Sequence, residues 1–249
     1  MTRLVRPHRR PWASRRLVCM SYAGGGTTAF RPWAQQLPVD TELRILCYPG
    51  REARFGERAE SWQALIEDAV TALTREVRGP YVLYGHSMGA MVAYATARRL
   101  QALGTPGPDS LILSGHIAPQ HWTGTRTAAL AEASDEELAA RLGDLGGTAA
   151  SVLSDPGMRS LAVGLLRSDL AAYAGFAYEP GERLSAGIQL LVGEQELSPM
   201  HEGWAELTEG PSSLDVLPGG HFFTPEVWRS LPRRMRAFGV HEEMAATRP

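Results

Sequence analysis

The stretch Tyr81-Val82-Leu83-Tyr84-Gly85-His86-Ser87-Met88-Gly89-Ala90 decides how this chain folds. An apolar run, YVLY, leads straight into Gly85-x-Ser87-x-Gly89. From Met88 to Leu103 the sequence is rich in Ala, Met, Arg and Leu, and Gly104 stops it. The order is therefore strand, sharp turn, helix. A Gly-x-Ser-x-Gly set at such a junction is a nucleophile elbow. The serine sits on a strained turn with its Oγ lifted above the sheet, and glycines flank it because larger residues would strike the neighbouring strand and helix. The five residues alone are weak evidence; the strand before and the helix after supply the context the motif needs.

Working outward, the same alternation repeats. Leu17–Ala23 (LVCMSYA) reads as a buried strand running into Gly24-Gly25-Gly26. Residues 30–37 read as a short helix ending near Pro38. Leu43–Tyr48 is a second strand, closed by Pro49-Gly50. Ser61 is a candidate N-cap for a helix over 62–77, with apolar spacing at Trp62, Leu65, Ile66, Ala69 and Leu73. After the elbow come strands at Ser110–Ser114, Ile188–Val192 and, more weakly, Leu214–Leu217. A last helix is expected from Pro225 to about Phe238. This pattern predicts an α/β fold with a mostly parallel sheet, helices on both faces and right-handed crossovers.

Residues 119–181 break the alternation and carry no strand signal. Ser134-Asp135-Glu136-Glu137 is a capping box, and Ser154-Asp155-Pro156 opens a further helix. Three or four small helices are expected there, inserted where the strands end. That placement reads as a helical lid over the site.

Composition sets the outer bounds. The 249 residues suit one domain of the larger kind, with 44 % hydrophobic residues and a formal net charge of −2. Such a balance argues against nucleic acid as a partner. Every basic residue is arginine. Cys19 and Cys47 lie in apolar runs and are expected as buried free thiols of a reducing compartment. No apolar run is long enough to span a membrane. Residues 1–16 hold six arginines and no acid, without the apolar core of a secretory signal. They are expected as a disordered basic arm, able to steer an acidic partner, ahead of a domain over 17–249. A cytoplasmic monomer is expected.

The chemistry follows from chain order. On a fold with this elbow the sequence runs serine, acid, histidine. His221, in Pro218-Gly219-Gly220-His221-Phe222-Phe223, is the candidate general base. The acid should follow the strand at 188–192, where Glu196 is the first candidate and Glu194 the second. The oxyanion hole needs two backbone N–H donors. Met88, just after the nucleophile, supplies one. Ala23, in the glycine-rich turn, is expected to supply the other. No metal-ligand spacing, dinucleotide fingerprint or phosphate-binding loop appears, so neither metal nor cofactor is expected.

With these residues in place, the chain resembles the type II thioesterases associated with polyketide synthases and nonribosomal peptide synthetases, an α/β-hydrolase family. The resemblance runs from Leu17 to Phe238. It rests on Tyr22-Ala23-Gly24-Gly25, Phe30-Arg31-Pro32-Trp33, Tyr48-Pro49-Gly50-Arg51-Glu52, the elbow, Leu145-Gly146-Gly147-Thr148 and Pro218–Phe223. It implies hydrolysis of stalled or aberrant acyl groups from the phosphopantetheine arm of carrier proteins. It also implies Ser87 and His221 as catalytic residues, with Ala23 and Met88 as oxyanion donors. The sequence departs from the family at three places: Glu196 stands where an aspartate is usual, Ser21 where proline is, and His116 where arginine is frequent. A product-releasing hydrolase or cyclase, a general small-ester esterase and a non-hydrolytic protein on the same scaffold are the competing readings.

Overall fold

The computed structural model describes residues 3–238. Residues 1 and 2 of the expected arm, and 239–249 of the expected domain, lie outside them. Among the described residues seven strands form one sheet: β1 (Leu4–Val5), β2 (Arg15–Met20), β3 (Thr41–Leu46), β4 (Tyr81–His86), β5 (Ser110–Ser114), β6 (Gly187–Gly193) and β7 (Ser212–Leu217). Their spatial order is β1-β3-β2-β4-β5-β6-β7, and every neighbouring pair is parallel except β1 with β3. The central strands read as continuous apolar runs because helices cover both faces. In β4 every residue is buried. At the edge, β7 alternates between exposed and half-buried positions.

Helices α1 (Trp62–Glu76) and α2 (Met88–Ala102) cover one face. Ser61 caps α1, its side chain accepting the Ala64 N–H at 3.1 Å. The opposite face is filled by Phe30, Trp33 and Leu231, with Trp228 packed against them. Between β5 and β6 lie α3 (Thr125–Ala131), α4 (Asp135–Leu145), α5 (Ala150–Ser154) and α6 (Pro156–Ala174). Both expected start signals operate. Ser134 and Glu137 form a reciprocal capping box, and Asp155 caps α6 with Pro156 in its first turn. This insertion has its own small core of Leu138, Leu142, Val163, Leu166 and Leu170.

Two expectations need correction. The basic segment is not a free arm over its described residues. Leu4 is buried and β1 pairs with β3. Arg3 bonds to Asp68, and Arg10 donates to the carbonyls of Ala34 and Thr41. Several of its arginines tie down backbone carbonyls and carboxylates instead of extending into solvent. The last helix is also shorter than expected: α7 spans Pro225–Ser230, and a 3-10 turn takes Leu231–Arg234. Pro232 has no N–H to continue the ladder, so the α-helix ends before it. Among the described residues no helix is long and apolar enough to cross a membrane.

Candidate active site

Ser87 joins β4 to α2 with φ +56° and ψ −123°, in the left-handed region that a side chain rarely adopts. Such strain persists only where the surroundings over-determine it. They do so here. The Ser87 N–H is bonded to the Ser114 carbonyl at 2.8 Å. A Cβ on Gly85 would lie 2.1 Å from the Gly89 carbonyl oxygen, and one on Gly89 would lie 2.2 Å from that of Met20. Only glycine permits three backbone segments to meet at the elbow.

The Met88 amide opens α2 and has no acceptor within the helix. The Ala23 amide makes no hydrogen bond among the described residues, whereas the next groups along the loop are tied down. Gly24 N–H donates to Asp169 Oδ2 at 2.7 Å, the Gly25 carbonyl accepts from Arg51, and Thr27 N–H donates to Glu52 Oε1 at 2.6 Å. Arg51 and Asp169, each about 4 % exposed, are paired at 2.5 Å. This buried pair links α6 to the loop that carries Ala23. The sequence reading missed it. The available signal was an aspartate among Leu166, Leu170 and Tyr173, on the apolar face of α6.

His221 follows β7 in a loop with two left-handed residues, Gly219 and Phe223. Its Nδ1 lies 2.9 and 3.1 Å from the two carboxylate oxygens of Glu196. Burial alone would raise the Glu196 pKa. The hydrogen bond from His221, with the charges of His221, His201 and Arg141, holds it below the usual value. Glu194 points elsewhere, with Oε1 at 3.5 Å from the Gly219 amide. Of the two candidate acids, the fold therefore brings Glu196 to the histidine. With Nδ1–H donating to Glu196, Nε2 is left as an acceptor. Ser87 and His221 line one cavity but make no hydrogen bond to each other here, a separation common in unliganded sites.

That cavity has a volume of about 450 Å³. Ala23, Ser87, Met88 and His221 form its sheet side, while Leu130, Leu166 and Leu170 come from the insertion. Its end wall is aromatic: Trp122 stacks on Tyr173 at 5.1 Å. Tyr173 O–H donates to His116 Nε2 at 2.7 Å, and His116 Nδ1–H donates to the Ile117 carbonyl at 2.6 Å. Burial drives His116 down to about 4, so the ring is neutral. A second, outer groove of about 820 Å³ shares Tyr22, Arg141, Leu145, Glu196, His221 and Phe222 with the first. His86, inside the elbow, is fully buried and bonded through Nδ1 to Ser114 Oγ at 2.8 Å. It takes no part in the cavity. Among the described residues no group of three His, Cys, Asp or Glu is arranged to hold a metal ion.

Such a site can carry out acyl transfer from an activated carbonyl to serine and then to water. The Thioesterase domain family matches residues 15–234. A probable cadicidin biosynthesis thioesterase of Streptomyces griseus is 36 % identical over 84 % of this chain, which spans 58 % of that protein's length. The gramicidin S biosynthesis protein GrsT of Aneurinibacillus migulanus is 31 % identical, over 86 % of this chain and 84 % of its own. Among solved structures, the type II thioesterase BorB of the borrelidin cluster superposes with a TM-score of 0.84 at 31 % identity, covering 94 % of this chain and 96 % of that one. The chain belongs to the thioesterase family of α/β-hydrolase serine enzymes, on the side of the type II thioesterases.

Proposed function

We propose that this protein is an editing thioesterase. It removes stalled or aberrant acyl groups from the phosphopantetheine arm of carrier proteins in polyketide or nonribosomal peptide synthesis. The observation that carries this reading is the correspondence with BorB, a type II thioesterase, over nearly the whole length of both chains. It works as a monomer in the cytoplasm, where its carrier substrates are made, and the insertion acts as a lid above the tethered thioester.

The proposed mechanism uses the residues brought together at the elbow. Ser87 Oγ attacks the thioester carbonyl while His221 Nε2 takes its proton. Glu196 accepts the Nδ1–H, which fixes the tautomer and stabilises the imidazolium. The Ala23 and Met88 amides receive the oxyanion. The carbon–sulfur bond then breaks, and the proton held by His221 passes to the departing pantetheine sulfur. Water, deprotonated by His221, attacks the acyl-Ser87 ester. Collapse of the second tetrahedral intermediate returns the proton to Ser87 and frees the carboxylic acid.

The test is unloading of acetyl- and propionyl-phosphopantetheinyl carrier protein, followed by intact-protein mass. Wild type should return the carrier to its free-thiol mass, and Ser87→Ala should leave it loaded. A carrier that stays loaded with wild type would overturn the reading.

A further inference from the structure

Two arginines of the insertion face the reaction chamber without partners. Arg126 lies on α3 and Arg141 on α4, and both line the cavity that holds Ser87. Among the described residues neither guanidinium makes an ion pair or a hydrogen bond. Arg167, on the same insertion, is fully occupied by contrast: it bonds to Asp135 and to the carbonyls of Ala131 and Ala133. The carboxylate lining this chamber is that of Glu196, and His221 already engages it. Burial holds His116 neutral and lowers the pKa of His201 below its ordinary value. The remaining insertion surface is largely leucine. The chamber thus carries two cations without a direct hydrogen-bonded partner among the described residues, beside a largely apolar wall.

Arg126 is exposed and Arg141 half-buried, so both guanidinium groups are free to meet an incoming anion. The planar fork of a guanidinium suits a carboxylate, and such charge-assisted bonds are the strong ones. We propose that Arg126 and Arg141 select acyl groups that carry a carboxylate beyond the thioester. Monothioesters of dicarboxylic acids are then turned over in preference to apolar chains of the same length. This deepens the editing reading and rests on it for the thioester itself. The substrate brings a second anion, the phosphate of the pantetheine arm. That phosphate lies the full length of the arm from the thioester, whereas both arginines line the cavity that holds Ser87, Arg141 where it joins the outer groove. The acyl carboxylate is the anion that fits.

The experiment compares kcat/KM for glutaryl and pentanoyl thioesters of N-acetylcysteamine, which carry neither phosphate nor protein. It uses wild type, Arg126→Gln, Arg141→Gln and Arg126→Lys. Arg126 is exposed and Arg141 half-buried, so these variants should fold. Wild type should prefer glutaryl. The glutaryl-to-pentanoyl ratio should fall roughly tenfold or more in each glutamine variant, and Arg126→Lys should keep much of it. A ratio unchanged in both glutamine variants, or a wild-type preference for pentanoyl, would overturn the proposal. So would glutamine variants that slow both acyl groups alike and only when carrier-bound; the arginines would then serve the arm phosphate or the carrier surface. Charge-selective hydrolysis of the free thioesters, with carrier-bound ones untouched, would support the proposal and sink the editing reading instead.

Discussion

A Cβ added at Gly85 in the elbow would lie 2.1 Å from a backbone oxygen, whereas one added at Gly164 in α6 would meet nothing within 4 Å. The two halves of the site differ in the same way throughout. The sheet half is held by backbone packed on backbone: β4 against α2, the end of β2 against Gly89, and Gly193 against the Gly220 carbonyl. The insertion is held by side chains. It packs on its own small core and reaches the sheet through a few specific contacts, of which the buried Arg51–Asp169 pair is the most demanding. The half without slack keeps the reacting groups in place. The half with slack shapes the space around the acyl chain, and it carries the two unpartnered arginines.

The sharpest way to break this comparison is a pair of glycine substitutions. Gly89→Ala places a methyl 2.2 Å from the Met20 carbonyl oxygen and 2.6 Å from that of Ser21, neither of which can yield. We expect a loss beyond about 4 kcal/mol or no folded protein, read by urea denaturation. Gly164→Ala should be neutral, or stabilising by about 0.5–1 kcal/mol, because it improves helix propensity in open space. Equal effects at the two sites would remove the distinction.

Asp169→Ala comes next. It leaves the Arg51 charge buried and unpaired, which costs about 3–5 kcal/mol. At roughly 2–4 °C per kcal/mol for a chain of this size, the melting temperature should fall by about 6–20 °C. Arg51→Met combined with Asp169→Leu should recover the part of that loss due to the unpaired charge, though not the bonds to the Gly24 N–H and the Gly25 carbonyl. If the double variant melts no higher than Asp169→Ala, the pair does more than join α6 to the oxyanion loop.

The smallest effect concerns pH. His116 is held neutral down to about 4, against an ordinary value of 6.5. Above pH 6.5 neither the folded nor the unfolded state binds this proton. As pH falls below that value the unfolded state takes it up first, so stability falls, and the loss stops growing below about 4. Its full size is roughly 3 kcal/mol. His116→Gln should flatten the stability–pH curve between pH 4 and 6.5, measured by urea denaturation at each pH. An unchanged slope would mean that the buried His86, also held well below its ordinary value chiefly by burial, carries the dependence instead.

What was legible in the sequence follows local signals, in both halves of the molecule. The elbow, the strand–helix alternation and the histidine loop could be read because glycines and apolar runs are local signals. Ser134 and Pro156 announced α4 and α6 for the same reason. The N-terminal segment could not be read. A two-residue strand has no periodicity, and arginines that bond to carbonyls look the same in a sequence as arginines in water. Nor could the Arg51–Asp169 pair be read, since its members are far apart in the chain and only the fold joins them. The choice between Glu196 and Glu194 was open because both follow β6. The 3-10 turn over Glu194–Glu196 turns one toward His221 and the other toward Gly219.

That choice gives the most direct test of the account. Propionyl-carrier unloading should be timed for wild type, Glu196→Gln and Glu194→Gln under single-turnover conditions. Glu196→Gln keeps the shape and removes the charge that orients His221, so its rate should fall by about 10²–10⁴, with Glu194→Gln close to wild type. A Glu196→Gln enzyme that turns over like wild type, or a loss confined to Glu194→Gln, would contradict the Ser87–His221–Glu196 assignment.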